Sequence, residues 1–214
     1  MNYRNIFYAI LCLLMLGSCG TTTKITGTWK ADPQKVWQFK NIAVIAIANK
    51  AEVRKMAEAA IEDKLIADGF KATGALEFFP PNATKGSMSK ELVIEWLKSY
   101  KVDAVLTISL LKKETEVTGS AGVGVGVYGA PGYAGYNQSF GDYYNTVSGY
   151  AYMPAYYSTS TNVYLQVNLF TFPDQKAIWI AETQTMDITS IEGATTQLAK
   201  AIVEQLIKDR VIEP

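Results

Sequence analysis

Carboxylates, lysines and hydroxyls are the side chains with which this 214-residue sequence could do chemistry, because it has no histidine and two cysteines. Cys12 and Cys19 both lie in or beside the N-terminal apolar run, so the rest of the chain has neither imidazole nor thiol. That excludes Ser-His-Asp and Cys-His nucleophile systems, histidine-based proton transfer and Cys/His zinc sites. It also excludes a disulfide framework. Glu182, Glu114 and Glu116 are carboxylates that neighbouring strands could bring together, as a glycan-cleaving pair or a cation site requires. Charged residues at strand ends are far more often solvated, and Lys112 and Lys113 stand beside them to neutralise them. Gly124-Val125-Gly126-Val127-Tyr128-Gly129 fits G-x-G-x-x-G, but Pro131, Gly132 and more glycine follow in place of an amphipathic helix. It reads as low complexity. No metal and no cofactor is expected, and this set of side chains points away from an enzyme.

Cys19 has a different use. Residues 1–18 carry one charge, Arg4, followed by an uncharged apolar stretch from Ile6 to Leu16. That stretch is too short for a stable membrane span, which takes about 20 residues, and fits the core of a signal peptide. It ends in Leu16-Gly17-Ser18-Cys19, which resembles the lipobox of bacterial lipoproteins: an aliphatic residue, two small residues and a cysteine. The resemblance implies cleavage before Cys19 and acylation there, giving the two or more chains that stable anchoring needs. Gly20 follows where an Asp would resemble an inner-membrane retention signal, so an outer-membrane position facing the periplasm is expected. Residues 19–26 are expected to form a lipidated tether.

The elements that must position anything further can be read from periodicity. Asn41 to Ala48 is a continuous β-branched run, expected as a buried strand. Val53, Met56, Ala57, Ala60, Ile61 and Leu65 follow at helical spacing, with Glu52, Arg54, Glu58 and Glu62 placed on the other side and Gly69 as a stop. Phe70 to Phe79 is a strand candidate. Ser89 can cap a helix whose inner face is Leu92, Val93, Trp96, Leu97 and Tyr100. Val102 to Leu111 and Asn162 to Phe172 are further strands, and Ala177 to Met186 returns from the second of these as a hairpin. A last helix starts near Ser190. The expected fold is α+β: one domain over 27–214, a mixed β-sheet with about three packed helices, in the order βαβαβ-(insertion)-ββα.

The insertion, about 115–161, differs in composition. It holds Tyr128, Tyr133, Tyr136, Tyr143, Tyr144, Tyr150, Tyr152, Tyr156 and Tyr157, and between Glu116 and Asp174 its one charged residue is Asp142. Connections this long inside a domain are usually functional or disordered. Three readings stay open: a flap whose tyrosines lie on their own domain, a partner-binding surface, or a β-hairpin with Ala121 to Val127 beside Val147 to Tyr164. Uncharged aromatics suit a glycan or protein better than nucleic acid. The balanced charge, 20 basic against 20 acidic residues, gives no reason to expect nucleic acid either.

Gly27-Thr28-Trp29-Lys30-Ala31-Asp32-Pro33, then Phe39-Lys40-Asn41-Ile42-Ala43-Val44, resembles the opening of a family of uncharacterised bacterial envelope lipoproteins. Arg54 on the first helix, Val102-Asp103-Ala104-Val105-Leu106, the Gly/Tyr-rich insertion and a hairpin through Ala177-Ile178-Trp179 continue the resemblance. The element order is also similar to the TolB N-terminal domain and the curli-secretion lipoprotein. The resemblance implies the fold and an envelope location and carries over no catalytic residue. The expected function is a non-catalytic outer-membrane lipoprotein that binds or scaffolds an envelope protein or cell-wall glycan. An oligomeric membrane-associated assembly or secretion component is the alternative, and a carboxylate-based glycan-acting enzyme the second.

Overall fold

Six consecutive residues with no polar side chain, Ile42–Ile47, can be stable only inside a sheet covered on both faces. In the computed structural model they form β2, buried along its whole length. The structure describes residues 21–77, 79, 89–115, 139–144 and 161–214. Around β2 stand β1 (Thr22–Lys30), β3 (Ala72–Gly74), β4 (Ala104–Thr115), β5 (Thr161–Thr171) and β6 (Ala177–Met186). The order across the sheet is β1-β6-β5-β4-β2-β3. β2 runs parallel to β3 and β4, and the other pairs are antiparallel. The expected α+β class and mixed sheet are therefore observed.

The long helices among the described residues are α1 (Ala51–Ala67), α2 (Lys90–Ser99) and α3 (Ile191–Lys208). α1 and α3 share one face of the sheet, where Ile61, Leu65, Leu198 and Ile202 pack on Val44, Leu106, Val167 and Trp179. α2 takes the opposite face, with Val93 and Leu97 against Ala43, Ile45, Val105 and Phe170. Trp179 is fully buried, and its indole N–H donates to Asp209 Oδ2 at 2.9 Å. Gly69, at φ +92°, ends α1 in the left-handed region that a side chain disfavours.

Four expectations need correction. The tether expected over 19–26 is cut short, because β1 begins at Thr22 and pairs with β6 from Thr22↔Met186 onwards. Its threonines and Ile25 suit a half-buried pleat. The strand expected over Phe70 to Phe79 is confined to Ala72–Gly74, since a 3₁₀ turn at Ala75–Glu77 takes over. Tyr100, expected on the inner face of α2, is its exposed C-terminal cap. Glu58, placed on the outer side of α1, is buried.

Candidate functional site

β3 stops at Gly74, opposite Val44, while β2 continues to Ile47. In a parallel ladder alternate residues of a strand bond to the same neighbour, and Ile42 N donates towards β3, to Lys71 O at 3.0 Å. Ala46, two steps of that alternation later, turns its amide to a side where β3 has already ended. Glu58 supplies the acceptor: Oε1 receives Ala46 N at 3.0 Å and Oε2 receives Leu76 N at 3.1 Å. One side chain of α1 thus satisfies the end of β2 and the turn after β3. Burial pushes the Glu58 carboxyl up to about 7, against the two amides and the Arg54 charge, which favour the ionised form. Burial likewise raises Glu62, one turn further on.

Arg54 precedes Glu58 by one turn, and its Nε lies 3.6 Å from Glu58 Oε1. The two are paired in charge, yet the distance exceeds that of a hydrogen bond. Arg54 Nε and Nη2 are closed off from solvent with no hydrogen-bond acceptor among the described residues. Leaving a buried donor unmatched costs about 1–3 kcal/mol, and more for a charged group. These nitrogens form the side-on edge of the guanidinium, which matches a carboxylate or phosphate with two parallel bonds.

Arg54 and Glu58 line a shallow half-open depression, completed by the end of β2 from Ile45 to Ala48, by Phe79 and by Tyr144. Its place follows from topology. The chain leaves β2 for α1 on one face, and leaves β4 for an insertion whose helical turn at 140–144 sits on the other. Carboxyl ends of neighbouring parallel strands whose connections depart to opposite faces leave a crevice between them, where α/β folds take ligands. α1 itself starts with Lys50 as its N-cap and no side chain capping the first turn.

The helical turn brings part of the insertion into the core. Phe140 and Tyr143 are fully buried beside Phe170. Ser139 caps the turn, accepting from Asp142 N at 3.3 Å, and Lys90 of α2 holds Asp142 Oδ1 at 2.6 Å. A Cβ at Gly141 would meet the far end of the Lys90 side chain and displace it from its present place beside Asp142.

The expected partner-binding tyrosines therefore divide. Tyr143 is corrected from a surface residue to a core one, its hydroxyl 2.7 Å from Ser109 Oγ. Tyr144 is half-buried and lines the depression. Tyr128, Tyr133, Tyr136, Tyr150, Tyr152, Tyr156 and Tyr157 lie outside the described residues, as do the lipobox residues Leu16, Gly17, Ser18 and Cys19 and the glycine pattern at 124–129. The strand register does not set Glu114 and Glu182 side by side. Glu182 stands opposite Gln166 and Glu114 opposite Asn162 on the intervening strand. Four residues put them roughly 14 Å apart along the sheet, before the width of two strand spacings is added. Catalytic carboxyls stand within about 9.5 Å. Glu116 lies outside the described residues. Among the described residues no three His, Cys, Asp or Glu side chains group as a metal site would need.

No family model matches the sequence, and no curated protein matches it. Solved structures do. A single-substitution variant of the PelC dodecamer from Paraburkholderia phytofirmans is 14% identical with a TM-score of 0.46, over 91% of this chain and 99% of that one. A second PelC dodecamer from the same organism is 13% identical with a TM-score of 0.44, over the same shares. A PDZ domain protein from Parabacteroides distasonis is 11% identical with a TM-score of 0.39, over 92% of this chain and 39% of that one. At this degree of overlap no activity or partner passes from them to this chain.

Proposed function

We propose that this chain is a lipid-anchored outer-membrane lipoprotein of the bacterial envelope, whose domain works by binding or scaffolding a protein or glycan and not by catalysis. One observation carries the reading: the apolar run ends in Leu16-Gly17-Ser18-Cys19, two residues before the first strand begins at Thr22. The proposed cleavage point thus falls where the folded domain starts. Thr21 Oγ1 already donates to Asp187 O at 2.9 Å. From Cys19 to Thr21 the chain reaches about 10 Å at full extension, so the acylated cysteine would hold the domain close to the lipid surface. Among the described residues no helix is long and apolar enough to cross a membrane. The crevice supports binding over catalysis: one arginine and one carboxyl meet there, and both Glu58 oxygens are committed to backbone amides.

The test is to express the chain in a bacterium that processes lipoproteins, beside a Cys19→Ala variant. Loss of residues 1–18, a gain of acyl mass and fractionation with the outer membrane, all absent from the variant, are expected. Identical mass and fractionation of the two forms would overturn the anchor. Partner capture is tested by replacing Tyr128, Tyr133, Tyr136, Tyr150, Tyr152, Tyr156 and Tyr157 together; capture that survives in a folded protein would remove the insertion as the binding surface.

A further inference from the structure

We infer that the loop from Met186 to Ile191 is a bilayer-facing surface, which lays its aliphatic side chains into the headgroup layer of a zwitterionic membrane. The inference rests on the lipid anchor proposed at Cys19 and names the face that this anchor holds against lipid. The loop leads from β6 to α3, and Asp187, at φ +53°, turns the chain there. It is tied to the entry of the chain into the domain. Thr21 Oγ1 donates to Asp187 O at 2.9 Å and accepts from Thr189 N at 3.2 Å. A lipid on Cys19 is thus two residues away from a side chain bonded to this loop.

The side chains of the loop supply a second observation. Met186 and Ile188 are half-buried and Ile191 is 36% exposed, and none of the three belongs to either core cluster. Thr189 and Ser190 between them are exposed, as are Asp187 and Glu192. Aliphatic side chains alternating with hydroxyls suit the boundary between headgroups and acyl chains, where apolar groups sink about 5–10 Å. The two carboxylates disfavour an anionic lipid surface, so zwitterionic lipid is the fitting partner.

Topology excludes the opposite orientation. The row Thr23, Thr185, Val163 and Lys113 crosses β1, β6, β5 and β4 at this end of the sheet. Lys30 and its acceptor Arg210 stand about 26 Å from the start of β1, at the other end. A tether reaching about 10 Å cannot let that far end face the bilayer. Thr115 and Thr161, between which the insertion leaves and returns, are paired at the near end. Both roots of the Gly/Tyr-rich insertion are thereby placed on the membrane side of the domain. The crevice stands about 10 Å further from lipid, because Ile47 is level with Gln166, beyond Val163 on β5.

Removal of Cys12 and acylation of Cys19 would leave no free thiol, so one new cysteine can carry a fluorophore. Ile191→Cys, Thr28→Cys and Arg210→Cys each place it at an exposed position. The full chain, made in a bacterium that processes lipoproteins, goes into phosphatidylcholine vesicles holding a headgroup spin-labelled lipid. Quenching should be several times stronger at 191 than at 28 or 210, and the vesicles should shield 191 alone from iodide in the water. Equal quenching at 28 would mean that β1 lies along the membrane, and equal iodide access at 191 and 210 that the loop stands clear of it. Either result overturns the inference. Vesicles rich in anionic phosphatidylglycerol should quench 191 less, and stronger quenching there would overturn the choice of lipid. Acyl mass is read on the same samples. Its absence overturns the anchor and this inference together, whereas acylated protein with even quenching overturns this inference alone.

Discussion

The Tyr143 hydroxyl lies 2.7 Å from Ser109 Oγ, both groups fully enclosed between the sheet and the helical turn at 140–144. This contact pins the insertion to β4, over a face where Thr107, Gln166 and Asn168 are also buried. Burial drives the Tyr143 phenol up, opposed by its hydrogen bond with Ser109, so it stays neutral and can donate. Tyr143→Phe keeps the ring and strands a buried hydroxyl partner, which should cost about 1–2 kcal/mol. Tyr143→Ala also opens a cavity and should cost about 3–5 kcal/mol, as Phe→Ala does in cores. Chemical denaturation of the two variants checks the order. Wild-type stability in Tyr143→Ala would mean that the turn does not pack as described.

Both serine caps make the same kind of bond. Ser190 Oγ accepts from Gly193 N at 3.0 Å at the start of α3, as Ser89 Oγ does from Leu92 N at 3.2 Å in α2. α3 spans one face of the sheet and supplies Leu198, Ile202 and Leu206 to the core. Loss of its cap should therefore register in global stability. Ser190→Ala is expected to cost about 1 kcal/mol and lower Tm by roughly 2–4 °C. Thermal unfolding checks this, and an unchanged Tm would show that the cap adds nothing.

The sequence was legible where a pattern is local. β2, α1, the Ser89 cap, β5 and the β6 return all follow from periodicity and cap chemistry. Glu58 was misplaced although a signal existed: it lies three residues before Ile61 and seven before Leu65, on the stripe those two bury. What periodicity cannot supply is the reason a carboxyl belongs there, namely that β3 stops short and leaves Ala46 N to be satisfied from α1. Tyr143 had a signal too, since Phe140, Tyr143 and Tyr144 have i, i+3, i+4 spacing around the lone charge of Asp142. Tyrosine abundance across the insertion hid it. Glu182 and Glu114 needed the register across three strands, which side-chain pattern alone does not fix.

β1 gives the next prediction. Thr22–Lys30 pairs with β6, with a shift between Ile25 and Gly27, and Lys30 Nζ donates to the carbonyls of Asp209 and Arg210 at the end of α3. A flexible tether would exchange its amide protons at once. A paired strand should retain those directed at β6 for times set by local opening. Hydrogen exchange should show protected amides within 22–30. Immediate exchange throughout 22–26 would restore the longer tether and remove the N-terminal half of this strand.

Glu58 makes stability depend on pH in a direction opposite to most salt-bridged carboxylates. Its folded value of about 7 lies above the ordinary 4.5, so the folded state holds a proton that the unfolded state releases between those values. Stability from this group is therefore intact below pH 4.5 and falls as pH rises through the window to 7. The whole shift corresponds to about 3 kcal/mol. Glu58→Gln keeps the shape and cannot ionise, so its stability should lose this slope, although its amide end faces one backbone N–H and sacrifices that acceptor. The measurement is the difference in unfolding free energy between wild type and Glu58→Gln from pH 4.5 to 8. That difference should change by about 3 kcal/mol, with wild type relatively more stable at the acid end. A pH-independent difference would mean that Glu58 stays ionised throughout, and that Arg54 and the two amides outweigh its burial.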